Sequence, residues 1–177
     1  GWGMAVPENV MTNDDIARIV DTSDEWIVTM TGIHRRHIAE KGETTASLAT
    51  RAAVQALAMT DLEPNEIDLV IVATSTPEHL FPATACLVQD ALGAGRAGAF
   101  DLSAACSGFI FALNMASQSI RTGAIRNAMV IGSETLSRMI NWEDRSTCIL
   151  FGDGAGAILL QASERPGGVL GCVMRSD

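Results

Sequence analysis

The sequence predicts an α/β layered fold built on a largely parallel sheet. Three observations carry that expectation. The run "IDLVIVATST" (67–76) is continuously apolar over the length of one strand, the pattern of a strand buried on both faces. Further strand-like runs, "AGAFDL" (97–102), "AMVIGSE" (128–134) and "AGAILLQA" (155–162), alternate with segments of helical periodicity. No repeat, low-complexity tract or linker interrupts the 177 residues, 47% of which are hydrophobic, so they can bury a substantial core.

The elements follow in order. "GWGMAVP" (1–7) reads as part of a strand. "TNDDIARIVD" (12–21) has a polar cap and an acidic first turn, which predicts a short helix. "TSDEWIVTMTG" (22–32) predicts a second, opened by a Thr22–Glu25 capping box and closed at Gly32. "TTASLATRAAVQALAMTDL" (44–62) is a strong amphipathic helix with Leu48, Ala52, Val54, Leu57 and Ala58 near one side. "ATACLVQDALG" (83–93) is a helix with a glycine terminus. "AGAFDL" reads as a short interior strand, and Cys106 to about Thr122 is apolar nearly all round, as in a helix sunk in a core. "GGVLGCVM" (167–174) is strand-like, and both chain ends look like cuts through a longer protein.

Composition narrows the function classes. With 21 Asp and Glu against 12 Lys and Arg, a formal charge of −9 and no basic stripe, the chain does not suit nucleic acid. Cys86, Cys106, Cys148 and Cys172 lie in apolar segments without framework spacing, which points to free thiols and a cytoplasmic setting. No apolar run reaches membrane-spanning length, and no signal sequence is visible.

Cys106 is the residue of chemical interest. It stands where a strand gives way to a helix, among Ser103, Ala104, Ala105, Ser107 and Gly108. Unpaired N–H groups and the positive end of a helix dipole favour a thiolate there, and small neighbours allow close approach. The competing reading is a small buried hydrophobe. Other candidates are weaker. Gly152, Gly154 and Gly156 in "FGDGAGAILL" lead into a strand, so a close backbone approach is expected rather than a nucleotide loop. His34 and His37 lack accompanying acidic or thiol ligands, which argues against a metal site, and His79 reads as a surface residue.

Four separated stretches together resemble the β-ketoacyl-acyl-carrier-protein synthase III family, the initiating condensing enzymes of fatty-acid synthesis. They are "GWGMAVPENVMTNDDIARIVDTSDEWI", "TGIHRRHIA", "FDLSAACSGF" and "EDRSTCILFGDGAGA". The match covers essentially the whole chain but only the N-terminal half of such an enzyme, so residues 1–177 are expected to form one thiolase-like half. The resemblance implies a five-stranded mixed sheet and a buried helix headed by the nucleophile, at Cys106. It implies an acyl-Cys intermediate, formed from acyl-coenzyme A and condensed with malonyl-acyl carrier protein after decarboxylation, without a bound cofactor. The family's catalytic His and Asn fall in the other half.

The resemblance also carries binding residues. Trp26 and Arg145 match the pair that sandwiches adenine, for which an indole and a planar guanidinium are well suited, and Thr22 matches a polar contact nearby. Phe81 matches the side chain inserted into the partner subunit's acyl channel, implying a homodimer, while Leu136 and Phe151 match acyl-pocket walls. Met30 departs from the pattern, which usually has Arg there; weaker coenzyme A binding or another acyl donor follows. Rival readings are a related thiolase-fold condensing enzyme of secondary metabolism, a non-catalytic thiolase-fold subunit, against which Cys106 counts, and a stand-alone binding module.

Overall fold

The computed structural model describes residues 1–165 and 167–175. Its strands are β1 (Trp2–Ala5), β2 (Val10–Thr12), β3 (Arg35–His37), β4 (Leu69–Ala73), β5 (Gly98–Leu102), β6 (Asn127–Thr135) and β7 (Asp153–Gln161). Its α-helices are α1 (Asn13–Ala17), α2 (Asp24–Thr31), α3 (Thr45–Ala58), α4 (Thr84–Leu92) and α5 (Gly108–Arg121). Five strands make one sheet in the order β1-β7-β6-β4-β5, and β2 pairs with β3 in a small ribbon.

The sheet is mixed, as the resemblance implies, and less parallel than the strand–helix alternation predicts. β4 is parallel to β5 and to β6, but β7 is antiparallel to β6, and β1 to β7. The reason is the connection. A parallel return requires a long crossover, usually a helix, and residues 136–152 contain only a 3₁₀ turn at Leu136–Arg138.

Alternation along β4 builds two cores. Val70 and Val72 join α3 and α4 on one face, with Leu48, Ala52, Val88 and Met129. Ile71 and Ala73 join α5 on the other, with Ala112, Ala116 and Val130. A strand covered on both sides must be apolar throughout, which is why residues 69–73 show no polar alternation.

Several local expectations are corrected. The face that α3 presents to the sheet is Leu48, Ala49, Ala52, Ala53 and Ala56, while Val54 is 51% exposed and Ala58 is also exposed. Val54 lies two residues from Ala52, about 200° round the helix, so both cannot face the sheet. The cap of α2 is Ser23, whose hydroxyl accepts from Trp26 N–H, rather than Thr22 in a box with Glu25. Thr22 Oγ1 is instead buried without a partner among the described residues. Helix α1 stops at Ala17, well short of Asp21.

Two other differences concern burial. β5 is an edge strand, not an interior one, with Phe100 partly exposed. Helix α5 packs only one face on the sheet, leaving Ile110 and Met115 half exposed, so it is not sunk on all sides in this chain. Residues 167–175, expected to be strand-like, form no strand.

The close approach of α3 to β1 depends on small residues. A Cβ at Gly3 would lie 2.2 Å from the Ala52 carbonyl oxygen, an impossible contact against backbone. Gly3→Ala is therefore expected to destabilise the protein by about 1–3 kcal/mol, read as a lowered thermal midpoint, because a packed helix must move. An unchanged midpoint would contradict this packing.

Candidate active site

Three parallel strands end side by side, and the site stands at their C-terminal ends. Ser75 follows β4, Cys106 follows β5, and Glu134 and Leu136 lie at the end of β6. Crevices beyond the carboxyl ends of parallel strands are where open α/β sheets bind ligands, because the connecting loops diverge there. Ala73, Ser75, Cys106, Phe109, Glu134, Leu136 and Phe151 line a cavity of about 530 Å³. Another cavity of about 540 Å³ lies beside Ser117, Arg121, Ser163, Arg165 and residues 167–170, and no thiol lines it.

The backbone around Cys106 is strained. Cys106 occupies a 3₁₀ turn, Ala105–Ser107, that leads directly into α5. Ala105 has φ 44°, the one positive value among described non-glycine residues. Such a conformation costs roughly 1–3 kcal/mol and persists only where surrounding packing enforces it. Here it turns the chain sharply enough to leave Cys106 exposed to the cavity rather than packed in the core. The small buried hydrophobe reading does not describe this cysteine.

Leu136 and Phe151 line the same cavity as Cys106. Phe81 does not line it. It is 90% exposed on the connection between β4 and α4, beside the similarly exposed Leu80. The turn before β7 makes the expected close approach: a Cβ at Gly152 would sit 3.0 Å from both Arg36 Cβ and the His37 carbonyl oxygen. Asp153, next in the chain, is buried and accepts from Ala39 N–H, Ser137 N–H and Ser137 Oγ–H, tying that turn to the segment carrying Leu136.

Trp26 and Arg145 come together, with the guanidinium carbon 4.0 Å from the centre of the indole ring. That is direct cation–π contact, not an open slot. An intervening base would need about 7 Å, twice a van der Waals contact, so Arg145 must swing outward to admit one. Trp26 also packs against the cluster of Ile16, Ile27, Cys148 and Ile149. The Arg145 loop is shaped by Asp144, whose carboxylate accepts from Ser146 N–H, Ser146 Oγ–H and Thr147 Oγ–H. Those hydrogen bonds hold the Asp144 carboxyl below its ordinary pKa. Met30 is 64% exposed at the C-terminal part of α2.

Ser75, Phe109 and Glu134 were not singled out by sequence reasoning. The available signal was positional: each lies at or beside the carboxyl end of a parallel strand, or in the first turn of the helix that follows. Periodicity places strands but does not say which are neighbours, so that convergence cannot be read from it.

The four thiols differ in access. Cys106 and Cys172 are exposed, Cys86 is half-buried and Cys148 is buried. Burial, then the Asp144 charge, pushes the Cys148 thiol up, and nearby Arg36 only partly opposes this. Brief iodoacetamide treatment at neutral pH is expected to label Cys106 and Cys172 first. Cys148 should react more slowly, since its raised pKa leaves less of it as thiolate and its burial limits access. Peptide mass mapping checks the order, and early labelling of Cys148 would contradict it.

Residues 100–177, which include the Cys106 turn and the "FGDGAGA" segment, match the family model for 3-oxoacyl-[acyl-carrier-protein] synthase III. Across all 177 residues the chain is 54% identical to a β-ketoacyl-[acyl-carrier-protein] synthase III of Roseiflexus sp. (strain RS-1), covering 54% of that protein. The fold superposes on the crystal structure of the Aquifex aeolicus VF5 3-oxoacyl-[acyl-carrier-protein] synthase III with a TM-score of 0.91 and 56% identity. That match covers 93% of this chain and 53% of the other. The priming β-ketosynthase of the R1128 polyketide pathway gives a TM-score of 0.91 at 40% identity, over 94% of this chain and 50% of the other. The chain thus spans about half the length of the curated relatives it matches. With the thiol, its strained turn and the strand ends all in the matched region, the chain is similar over its whole length to about half of a 3-oxoacyl-[acyl-carrier-protein] synthase III.

Proposed function

We propose that the full-length protein carrying this chain condenses an acyl-coenzyme A primer with malonyl-acyl carrier protein to start fatty-acid synthesis. The observation that carries this reading is Cys106 on a strained turn, open to a cavity that Leu136 and Phe151 also line. The Cys106 thiolate attacks the thioester carbonyl, its carbon–sulfur bond forms, and coenzyme A leaves as the thiol. Loss of carbon dioxide from the malonyl thioester then leaves an enolate, whose carbon attacks the acyl-Cys carbonyl. The Cys106 sulfur departs and a 3-oxoacyl carrier protein results. Groups that stabilise the enolate, the His and Asn implied by the resemblance, are expected outside these residues.

In this reading residues 1–177 form the N-terminal thiolase-like half, and Thr22, Trp26 and Arg145 hold the coenzyme, with Arg145 moving off Trp26 to admit adenine. The acyl group lies against Leu136 and Phe151. The protein works as a homodimer: an exposed phenyl ring at Phe81, beside Leu80, fits burial in a second copy, and edge strand β5 offers unpaired backbone groups. Four free thiols suit a reducing cytoplasm, and no described helix is long and apolar enough to cross a membrane. A priming condensation in secondary metabolism is the second reading, favoured by the likeness to the R1128 enzyme.

Two measurements test the proposal. Formation of the 3-oxoacyl carrier protein from malonyl-acyl carrier protein and acetyl-coenzyme A is expected from the full-length protein and not from Cys106→Ala or from residues 1–177 alone. Sustained turnover by the 177-residue chain would refute this division of labour. Trp26→Ala is expected to weaken coenzyme A binding about tenfold, a typical loss for one stacked base. Unchanged affinity would remove Trp26 from the site.

A further inference from the structure

The connection between β4 and α4, which carries Leu80 and Phe81, is held down by carboxylates from three places. Glu78 accepts from Ala46 N–H in the first turn of α3. Asp101, from β5, accepts from Thr84 N–H at 2.8 Å and Ala85 N–H at 2.7 Å, replacing the cap that Ala83 cannot supply. Glu134 is the third, and it alone of the three lines the Cys106 cavity.

The partners of Glu134 are all on one short turn. Oε1 accepts from Ser75 N–H at 2.8 Å, and Oε2 accepts from Thr76 Oγ1–H at 2.6 Å and Thr74 Oγ1–H at 3.4 Å. Thr76 Oγ1 accepts in turn from Thr135 N–H, and Thr45 Oγ1–H donates to the Thr76 carbonyl. A carboxylate beside an apolar cavity is costly unless hydrogen-bonded, and here both oxygens are engaged. Glu134 therefore acts on the cavity through Ser75, the residue it holds and a lining residue in its own right.

We propose that Glu134 is a positioning residue whose clamp on Ser75 and Thr76 sets one wall of the Cys106 cavity, and thereby the length of acyl group accepted. The proposal rests on the acyl-Cys106 reading above. Removing the clamp frees the Ser75 turn to withdraw, which enlarges the cavity for longer donors.

The test compares rates of Cys106 acylation by acetyl-coenzyme A and octanoyl-coenzyme A in the full-length protein, read by intact mass. The ratio of the two rates is the readout, because a fall in the folded fraction lowers both equally. Glu134→Gln is expected to shift the ratio toward octanoyl about tenfold, the scale at which pocket fit discriminates, while Glu134→Asp stays within about twofold of wild type. Ser75→Ala, which keeps the backbone bond to Glu134, is expected to shift the ratio in the same direction. Ratios unchanged in both Glu134→Gln and Ser75→Ala would overturn the proposal. A wild-type protein acylated by neither donor would overturn the acyl-Cys106 reading itself, and this inference with it.

Discussion

Val70 and Val72 face one helical layer while Ile71 and Ala73 face another, and both neighbours of β4 run parallel to it. A slip of one residue would exchange the two sets of side chains between cores of different shape, so the register of β4 is strongly specified. β5 and β6 take their register from β4, bringing Leu102 and Gly132 level with Ala73. The Cys106 turn, the Ser75 turn and Glu134 then emerge from one edge of the sheet. The site is a consequence of where the three strands stop.

Polar groups stabilise the surroundings of that edge chiefly through carboxylates bonded to neutral donors. Both described ion pairs, Arg18–Asp15 and Arg51–Glu43, are on the surface, where such pairs contribute little. By contrast Asp101 caps α4, Asp153 binds the Ser137 turn, and Glu134 binds the Ser75 turn. A carboxylate can accept several N–H and O–H bonds at once, so one side chain fixes a loop that has no regular hydrogen bonding of its own. The loops around Cys106 are irregular in conformation but anchored in position.

At the other part of the candidate site, a buried cation organises the ribbon below Trp26. Arg36 donates to Asn13 Oδ1 and the Ile149 carbonyl, and burial draws its pKa down from the usual guanidinium value. Asn13 also donates to Asp24 and the Ile33 carbonyl, so the starts of α1 and α2 are joined to the segment before β7. Arg145 and Trp26 approach each other because their parent segments share this small core.

Periodicity, capping residues and glycines were enough to place α3, α4, β4, β6 and β7 close to their observed positions, since those signals are local and the segments are long. The Cys106 junction was also legible, because a cysteine at a strand-to-helix turn is written in consecutive residues, and the motifs around it carried the resemblance. Other features depended on contacts between distant segments. The antiparallel return of β7 arose from a connection too irregular to cross over, and the capping of α2 by Ser23 from a choice between adjacent residues that only packing resolves. The closed Trp26–Arg145 stack joins residues far apart in the chain, and the clamp of Glu134 on Ser75 spans 59 residues. A linear pattern records which face a residue presents. Only the folded sheet decides which faces meet, because strand order brings together segments whose separation along the chain carries no signal of their contact.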